Sequence, residues 1–191
     1  ETSCDLYPNY ALCPKLNLIR KQVIASHDYK EFAKKYQPLK DQIISLLGAF
    51  PDWVTLYDVF FCRECHNYTL PTGWNTNIVN QIYNAAAEEY NLLLSDKEFL
   101  RLGMGPFLHR LLNEMKQQMT PEENETKFVL HSGHDTSIGP LIKILGISDG
   151  SWPPYASNLV FELYQMSADQ DDFALKILYN GIDETQRMFM T

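Results

Sequence analysis

The sequence contains few basic residues and no long hydrophobic run. Sixteen Lys and Arg residues stand against 24 Asp and Glu residues, which gives 191 residues a formal charge of -8. Because binding to nucleic acids and anionic membranes depends on clustered positive charge, neither is an expected partner. No apolar run approaches the roughly 20 residues that a membrane-spanning helix needs. The first residues lack the basic start and apolar stretch of a signal peptide, so we expect any such segment to have been removed.

Cysteine is scarce as well, and its four residues fall in two close pairs, Cys4 with Cys13 and Cys62 with Cys65. An even count favours structural disulfides in an oxidising compartment. Taken alone, the second pair also suits a redox or zinc site. A zinc ion normally needs a second cysteine pair or two well-spaced histidines, and His66 directly follows Cys65, where it reaches the same ion only with poor geometry. We therefore expect disulfides rather than a metal site.

Two N-glycosylation sequons lie in polar stretches that are typical of surface loops, at Asn67-Tyr-Thr69 and Asn124-Glu-Thr126. Each signal is weak alone, because sequons arise by chance. Together with the cysteines they indicate a protein of the secretory pathway, whether lysosomal, Golgi-lumenal, membrane-anchored lumenal or secreted.

Helical spacing of apolar residues dominates the first 120 residues. Pro14 begins the first predicted helix, and others extend over about Tyr29–Leu47 and about Thr76–Leu94. Between them, Asp52 is predicted to cap a short aromatic helix, whose apolar residues we interpret as core rather than as a ligand box. These residues are Trp53, Leu56, Tyr57 and Phe60.

Proline and glycine predict interruptions in two of the helices. Pro38 lies inside the second helix and is expected to interrupt it. Another helix starts near Asp96, and it is expected to break or kink at Gly103, Gly105 and Pro106.

The pattern changes at Lys127. Phe128–Leu130 is a short apolar run without alternation, which predicts a central strand buried on both faces. A compact apolar helix follows over Ile138–Gly146, and two alternating segments then predict an antiparallel hairpin. The hairpin strands are Leu159–Tyr164 and Phe173–Tyr179, and a further strand is predicted over Thr185–Met190.

These strands are few for the apolar helix that they would have to cover. A central strand that is buried on both faces also needs neighbouring strands, which the rest of the sequence does not provide. We therefore expect an α/β fold of which this chain is one half.

The segment that can carry chemistry is His131-Ser-Gly-His-Asp-Thr-Ser137, which follows the predicted strand and starts the next helix. Open α/β sheets bind their ligands at such positions. Backbone N–H groups and the positive end of the helix dipole suit an anion, and an imidazole and a carboxylic acid can bind it and donate a proton. This combination fits phosphate-ester hydrolysis. The alternative is that His134 and Asp135 only cap the helix.

The same segment, with two others, closely resembles the histidine acid phosphatases, the group that includes the prostatic and lysosomal acid phosphatases. The others are Pro153-Pro-Tyr-Ala-Ser157 leading into Phe161-Glu-Leu-Tyr164, and Cys65-His-Asn-Tyr-Thr-Leu-Pro71, which is similar to the helical domain of the family. Ile177-Leu-Tyr-Asn-Gly181, Asp183 and Thr185 resemble the related 2-phosphoxylose phosphatase branch. The resemblance extends over nearly the whole chain.

The resemblance implies a phosphoglycerate-mutase-like α/β core with an inserted helical domain. Residues 1–120 would form most of the helical insert, and residues 121–191 the carboxyl-terminal part of the core. In this family a histidine in an Arg-His-Gly-x-Arg-x-Pro motif attacks phosphorus, yet none of the five histidines here follows an arginine. The resemblance therefore implies that the nucleophile comes from an amino-terminal half, as a second chain or a missing segment, and that the isolated 191-residue chain is inactive.

Two functional residues carry over from the family to this sequence. His134 matches the phosphate-binding histidine, and Asp135 matches the acid that protonates the departing alcohol oxygen. The implied reaction is hydrolysis of a small phosphomonoester through a phosphohistidine, with an acid optimum and without a metal or other cofactor. One departure concerns Asn158, where relatives carry a cysteine, so the bridge at that position cannot form and Cys62 and Cys65 need other partners.

Two other functions are also compatible with the sequence. One is a non-catalytic phosphatase-like module that binds phosphate or a sugar phosphate, although such a module has no need of a proton donor. The other is a metal phosphohydrolase with His131, His134 and Asp135 as ligands, which is less favoured because adjacent residues point in different directions. A homodimer is a further expected state, and the sequence does not name the substrate.

Overall fold

The computed structural model describes residues 6–119, 126–167 and 172–188. Its elements in chain order are α1 (Pro14–Ala25), α2 (His27–Leu47), α3 (Trp53–Cys65), α4 (Thr76–Leu94), α5 (Lys97–Gln118), α6 (Asp135–Ile144), β1 (Leu159–Gln165), β2 (Phe173–Tyr179), β3 (Ile182–Asp183) and α7 (Thr185–Met188). The protein is therefore rich in helix, with a small antiparallel sheet. No described helix has the length and apolar character needed to cross a membrane.

The chain forms two compact units. Of the described residues, one unit contains those within Glu1–Leu18, Asp96–Asp149 and Pro153–Thr191, and the other contains Ile19–Ser95 with Gly150–Trp152. In the first unit α5 packs against α6, although the sequence analysis grouped the α5 region with the preceding helices. The division into a helical insert and a core at residues 120 and 121 stays a prediction.

The second unit is built around α2, α3 and α4. Ile43 and Ile82 have no exposed surface, and the aromatic stripe of α3 is at most 5% exposed, which confirms that these residues are core. Burial of this much apolar surface is the main source of stability for such a helical unit. The predicted helix limits are also confirmed at the caps: Asp52 accepts a hydrogen bond from the Thr55 N–H, and Gly48 ends α2 with a φ of 78°.

The predicted interruption of α2 at Pro38 is wrong, and of the predicted break or kink in α5 the break is wrong. α2 continues through Pro38, and α5 continues through Gly103 and Pro106. A proline inside a helix removes one backbone hydrogen bond, and the burial of neighbouring residues such as Leu39 maintains the helix. Gly103 has a packing role instead, because a Cβ atom at this position would lie 2.9 Å from Cγ of Pro8.

The predicted hairpin is confirmed. β1 pairs with β2 in antiparallel register, with Leu159 opposite Tyr179. Asn180 and Gly181 then turn the chain into β3 with φ angles of 49° and 81°, as a two-residue turn of this type requires. The sheet has the order β1-β2-β3.

The strand predicted over Thr185–Met190 is wrong for its described part, because Thr185–Met188 forms the short helix α7. Asp183 explains the change, since its Oδ1 accepts hydrogen bonds from both the N–H and the hydroxyl of Thr185, at 3.0 and 2.6 Å. A carboxylate that binds the backbone in this way favours the start of a helical turn. Residues 189 and 190 of the prediction lie outside the described residues.

The strand predicted over Phe128–Leu130 is also wrong. Residues 126–134 have no regular secondary structure, and the described sheet does not include them. Phe128, Val129 and Leu130 are 80%, 52% and 77% exposed instead of buried. An extended segment becomes a strand only when a neighbouring strand accepts and donates its backbone hydrogen bonds, and the described residues offer this segment none.

Helix α6 begins at Asp135, three residues before its predicted start, and Gly146 follows its end with a φ of 72°. Its apolar face contributes to a small core in the first unit, where Leu141 packs with Met104 and Phe107 of α5. The packing of α6 on α5 fixes the position of the α6 N-terminus, where the candidate site lies.

Candidate active site at the N-terminus of helix α6

The first turn of α6 is closed by reciprocal hydrogen bonds between His134 and Ser137. The N–H of His134 donates to Oγ of Ser137 at 3.1 Å, and the N–H of Ser137 donates to the carbonyl oxygen of His134 at 2.9 Å. His134 is the N-cap residue, with extended backbone angles of -124° and 174°. Both bonds use only the backbone of His134, so neither occupies its imidazole. The side chain of His134 is exposed.

Asp135 is the first residue of α6 and is half-buried. Its Oδ1 accepts a hydrogen bond of 2.7 Å from the N–H of Thr136. A carboxyl group and an imidazole on consecutive residues therefore lie at the positive end of the helix dipole, where backbone N–H groups favour an anion. Such a site can bind a phosphate group and transfer a proton to an oxygen that leaves it.

The loop that leads into the site packs closely on α6. A Cβ atom on Gly133 would lie 2.8 Å from Oγ of Ser137, and Ser137 is only 4% exposed. The backbone around Gly133 and His134 is thus in contact with a buried side chain of the helix. The sequence analysis did not single out Ser137, because the capping-box pattern has Ser or Thr at the N-cap and Glu or Gln three residues later, whereas here the N-cap is His134 and the third residue is serine.

His131 lies three residues before His134 and contacts α5. Its Nε2 is 3.6 Å from Oε2 of Glu114, and its ring meets the Phe107 ring edge-on, with centroids 5.2 Å apart. Glu114 also lies near Arg110, whose Nε is 3.7 Å from Oε1. Phe107, Arg110 and Glu114 recur at helical spacing on α5, but no motif in the sequence indicated that His131, in a later segment, contacts them.

The other predicted site residues lie elsewhere. Asn67 is exposed, as a glycan acceptor must be, and has a φ of 56°. Cys13, Cys62 and Cys65 form no disulfide in the structure, and both Cys62 and Cys65 are exposed on α3. Cys4 and Asn124 lie outside the described residues. Their predicted roles stay predictions.

Asn158, where the resemblance places a cysteine in relatives, supports the sheet instead. Its N–H donates to Oδ1 of Asn180 at 2.9 Å, and its carbonyl oxygen accepts from the N–H of Asn180 at 3.0 Å. The preceding Pro153–Ser157 segment ends in a turn, with Ala156 at a φ of 60°. This part of the resemblance therefore corresponds to a turn that enters β1.

The described residues contain no group of three or more His, Cys, Asp or Glu side chains arranged to bind a metal ion. The helical unit contains a cavity of about 170 Å³. Its lining consists of five aromatic residues together with Ala33 and four polar or charged residues, Gln37, Lys40, Asp52 and Glu89. None of the sequence-predicted site residues lines it.

The sequence matches one protein-family model and several known proteins. The family model of the histidine phosphatase superfamily, branch 2, matches residues 8–180. The chain is 34% identical to counting factor 60 of Dictyostelium discoideum over 93% of its own length. It is 33% identical to bovine prostatic acid phosphatase over 83% of its length, and 30% identical to human 2-phosphoxylose phosphatase 1 over 67%.

The chain spans less than half of the length of these relatives. The matched regions cover 42% of counting factor 60, 43% of the bovine prostatic enzyme and 28% of 2-phosphoxylose phosphatase 1.

Proposed function

This chain belongs to branch 2 of the histidine phosphatase superfamily, and we propose that it forms the carboxyl-terminal part of an acid phosphatase that hydrolyses small phosphomonoesters through a phosphohistidine intermediate. Two of its similar relatives are phosphatases by name. The chain provides the phosphate-binding and proton-donating part of the site, and the nucleophilic histidine comes from the amino-terminal half of the same enzyme.

The observation that supports this proposal most directly is the placement of His134 and Asp135 at the N-terminus of α6. The two bonds that close the first turn use the backbone of His134 and the hydroxyl of Ser137, so neither of them occupies the imidazole. His134 binds a phosphoryl oxygen and offsets the charge that develops during transfer. Asp135 is the next residue in the chain, and its carboxylic acid donates a proton to the leaving oxygen.

The reaction proceeds in two steps. The nucleophilic histidine attacks phosphorus, so that a P–N bond forms, the P–O bond to the alcohol breaks, and the proton of Asp135 passes to the alcohol oxygen. Water then attacks phosphorus, the P–N bond breaks, and the Asp135 carboxylate takes a proton from the water. The same residue thus serves as acid in the first step and as base in the second. Arginines from the amino-terminal half assist His134 in offsetting the phosphoryl charge.

The exposure of Phe128–Leu130 supports an amino-terminal partner. Side chains of an extended segment point alternately to both faces, and all three of these side chains are at least half exposed. In the complete enzyme the amino-terminal half covers this apolar surface. The fold is then a phosphoglycerate-mutase-like core, with residues 121–191 in the core and most of residues 1–120 in a helical insert.

The proposed cellular compartment rests on the chemistry of exposed side chains and not on the fold. Exposed Asn67 in a sequon, together with exposed Cys62 and Cys65, suits an oxidising environment in which glycans are attached and thiols form disulfides. We place the enzyme in the secretory pathway, in a lysosomal, Golgi-lumenal, membrane-anchored lumenal or secreted form, with a homodimer as its expected assembly.

Substitution of Asp135 in the complete enzyme tests the proposal. Asp135→Asn keeps the shape of the side chain and removes its acidic proton. With an alkyl phosphate, whose alkoxide leaves badly, kcat should fall by roughly 10²- to 10⁴-fold, whereas an activated aryl phosphate should lose far less. Asp172→Asn, at an exposed position, is the matched control and should leave both rates unchanged.

Equal losses on the two substrates would show that Asp135 is not the general acid. Phosphate binding by the complete protein without turnover of either substrate would instead identify a non-catalytic phosphatase-like module. Isolated residues 1–191 should show no turnover, and activity that depends on Asp135 in that pure chain would contradict the assignment of the nucleophile to another part of the protein.

A further inference from the structure

A cluster of one aromatic and three polar or charged side chains lies beside the candidate site and takes no part in the proposed reaction. Phe107, Arg110 and Glu114 occupy one face of α5, and His131 contacts them from the segment that precedes α6. The carboxylate of Glu114 lies between the guanidinium of Arg110 and the imidazole of His131. Oε1 is 3.7 Å from Nε of Arg110, and Oε2 is 3.6 Å from Nε2 of His131. All of these residues belong to the same compact unit.

Two atoms of this cluster are buried without a hydrogen-bond partner, Oε2 of Glu114 and Nε2 of His131. A buried polar atom in this state costs free energy, so native proteins rarely retain one without a reason. The two atoms face each other, and a movement of less than about 1 Å would bring them within the usual range for an N–H···O bond. They are therefore each other's natural partners.

The position of His131 in the chain gives this pair its significance. Only Ser132 and Gly133 separate it from His134, and the far end of this short segment already contacts Ser137, through the 3.1 Å bond from the His134 N–H. The edge-on contact with Phe107 orients the imidazole of His131 against α5. A bond between His131 and Glu114 would hold the near end of the segment, so that both ends of the loop carrying His134 would be attached to helices.

We propose that Glu114 and His131 are a positioning pair for the phosphate-binding residue His134: Nε2–H of His131 donates to Oε2 of Glu114 and holds segment 131–134 in the geometry that binds phosphate. The inference rests on the proposed role of His134. The pair touches no reacting atom and acts only through the backbone between His131 and His134. Its bond closes when phosphate binds, as hydrogen bonds of active sites often shorten only in the substrate complex.

Two substitutions of His131 separate positioning from general stability. Gln places an amide N–H near the position of Nε2 and can still donate to Glu114, whereas Asn has the same amide on a side chain one methylene shorter and does not reach. In the complete enzyme, His131→Asn should raise the inhibition constant of inorganic phosphate and lower kcat/KM by roughly tenfold, below the ~10²-fold that a 1 Å misplacement can cost. His131→Gln should stay within about threefold of the parent enzyme.

Substitution of Glu114 provides the second half of the test. Glu114→Ala should cause the same loss as His131→Asn, and in its background the Gln and Asn variants at position 131 should no longer differ, because their shared acceptor is absent. Glu114→Gln keeps an acceptor oxygen of similar size, and its result should lie between those of the parent and the Ala variant. Glu114→Gln also tests the positioning role on its own if His131→Asn does not fold.

His134→Ala separates failure of this inference from failure of the proposed function. A phosphate inhibition constant that is unchanged in His134→Ala would overturn the role of His134 and the positioning pair with it. A constant that rises in His134→Ala but is equal in His131→Gln and His131→Asn would overturn the pair alone. Variants of Glu114 that lower the melting temperature without changing the phosphate constant would assign the pair a structural role and contradict positioning.

Discussion

The backbone N–H of His134 donates a hydrogen bond of 3.1 Å to Oγ of Ser137, a hydroxyl group that is 4% exposed. A helix N-terminus always presents N–H groups that need acceptors. At α6 the acceptors within the first turn are Oγ of Ser137, the carbonyl oxygen of His134 and Oδ1 of Asp135. The side chain of His134, the proposed phosphate-binding group, makes neither of these two bonds with Ser137, and one buried serine links the stability of the helix to the geometry of the proposed site.

Substitution of Ser137 should therefore affect stability and phosphate binding together. Ser137→Ala removes the acceptor of the His134 N–H, and loss of a capping hydroxyl typically lowers the free energy of unfolding by about 1 kcal/mol. Urea denaturation of the complete enzyme measures this change, and phosphate inhibition measures the affinity. Ser45→Ala removes a hydroxyl from an exposed residue of α2, outside the site, and should lower neither quantity. Equal effects of the two substitutions would contradict the capping role of Ser137.

Apolar surface at Phe128–Leu130 should govern the behaviour of the isolated 191-residue chain. These neighbouring exposed side chains favour self-association, and we expect the isolated chain to bind the dye ANS and to elute as more than a monomer in gel filtration. Phe128→Lys together with Leu130→Lys should reduce both effects, because the exposed apolar surface is replaced by charge. Leu12→Lys, at an isolated apolar residue that is 66% exposed, is the control. If Leu12→Lys reduces dye binding as strongly, the segment has no special role.

The helical part of the fold was predictable because its signals are local. Asp52 and Gly48 each indicate a helix limit through their own chemistry, and apolar residues at helical spacing indicate which face is buried. The predictions failed where the outcome depends on distant residues. Pro38 does not interrupt α2, because packing of the helix against its neighbours outweighs one missing hydrogen bond. Phe128–Leu130 has the composition of a strand, but a strand also requires a partner.

The candidate site shows the same limit. His134 and Asp135 were identifiable because they lie together in one short segment before an apolar helix. Glu114 was not, since it lies on α5 and meets His131 only because α5 packs on α6. No periodicity or motif in the sequence connects the two residues. Contacts between distant segments are produced by packing, which a single sequence does not reveal.

Glycosylation at Asn67 is a test of the proposed compartment. Asn67 is exposed and follows the end of α3, so an oligosaccharide transferase can reach its side chain. Enzymatic removal of N-glycans should lower the mass of the secreted protein, and Asn67→Gln should abolish the part that arises at this site. Thr69→Ala is a matched variant, because it destroys the sequon and leaves Asn67 in place, while the bond from Arg63 uses only the Thr69 carbonyl oxygen. A glycan that persists in Thr69→Ala would contradict attachment at Asn67.

The helical unit should lose stability in alkaline solution through Tyr29. The hydroxyl of Tyr29 donates a hydrogen bond of 2.6 Å to Oε1 of Glu89, and burial, that bond and the negative charge of Glu89 raise the pKa of Tyr29 to about 12. In the unfolded chain the ordinary pKa of tyrosine is about 10. Between these two values the unfolded chain has released the proton and the folded chain retains it. Because the unfolded state then binds fewer protons, the free energy of unfolding must fall as the pH rises from about 10 to about 12.

Tyr29→Phe isolates this contribution, since other tyrosines of the unit, among them Tyr36, also have a raised pKa. Phenylalanine keeps the ring and has no proton to lose, so the free energy of unfolding should decrease less steeply with pH above about 10 than in the parent chain. Urea denaturation at successive pH values measures the slope. Glu89→Gln removes the charge that stabilises the protonated phenol and should flatten the curve less than Tyr29→Phe does, because burial, the largest cause of the raised pKa, remains. The double variant should match Tyr29→Phe, because no phenol is left for Glu89 to act on. A Tyr29→Phe variant with an unchanged slope would show that Tyr29 ionises alike in the folded and unfolded chains, and that its bond to Glu89 does not contribute to alkaline stability.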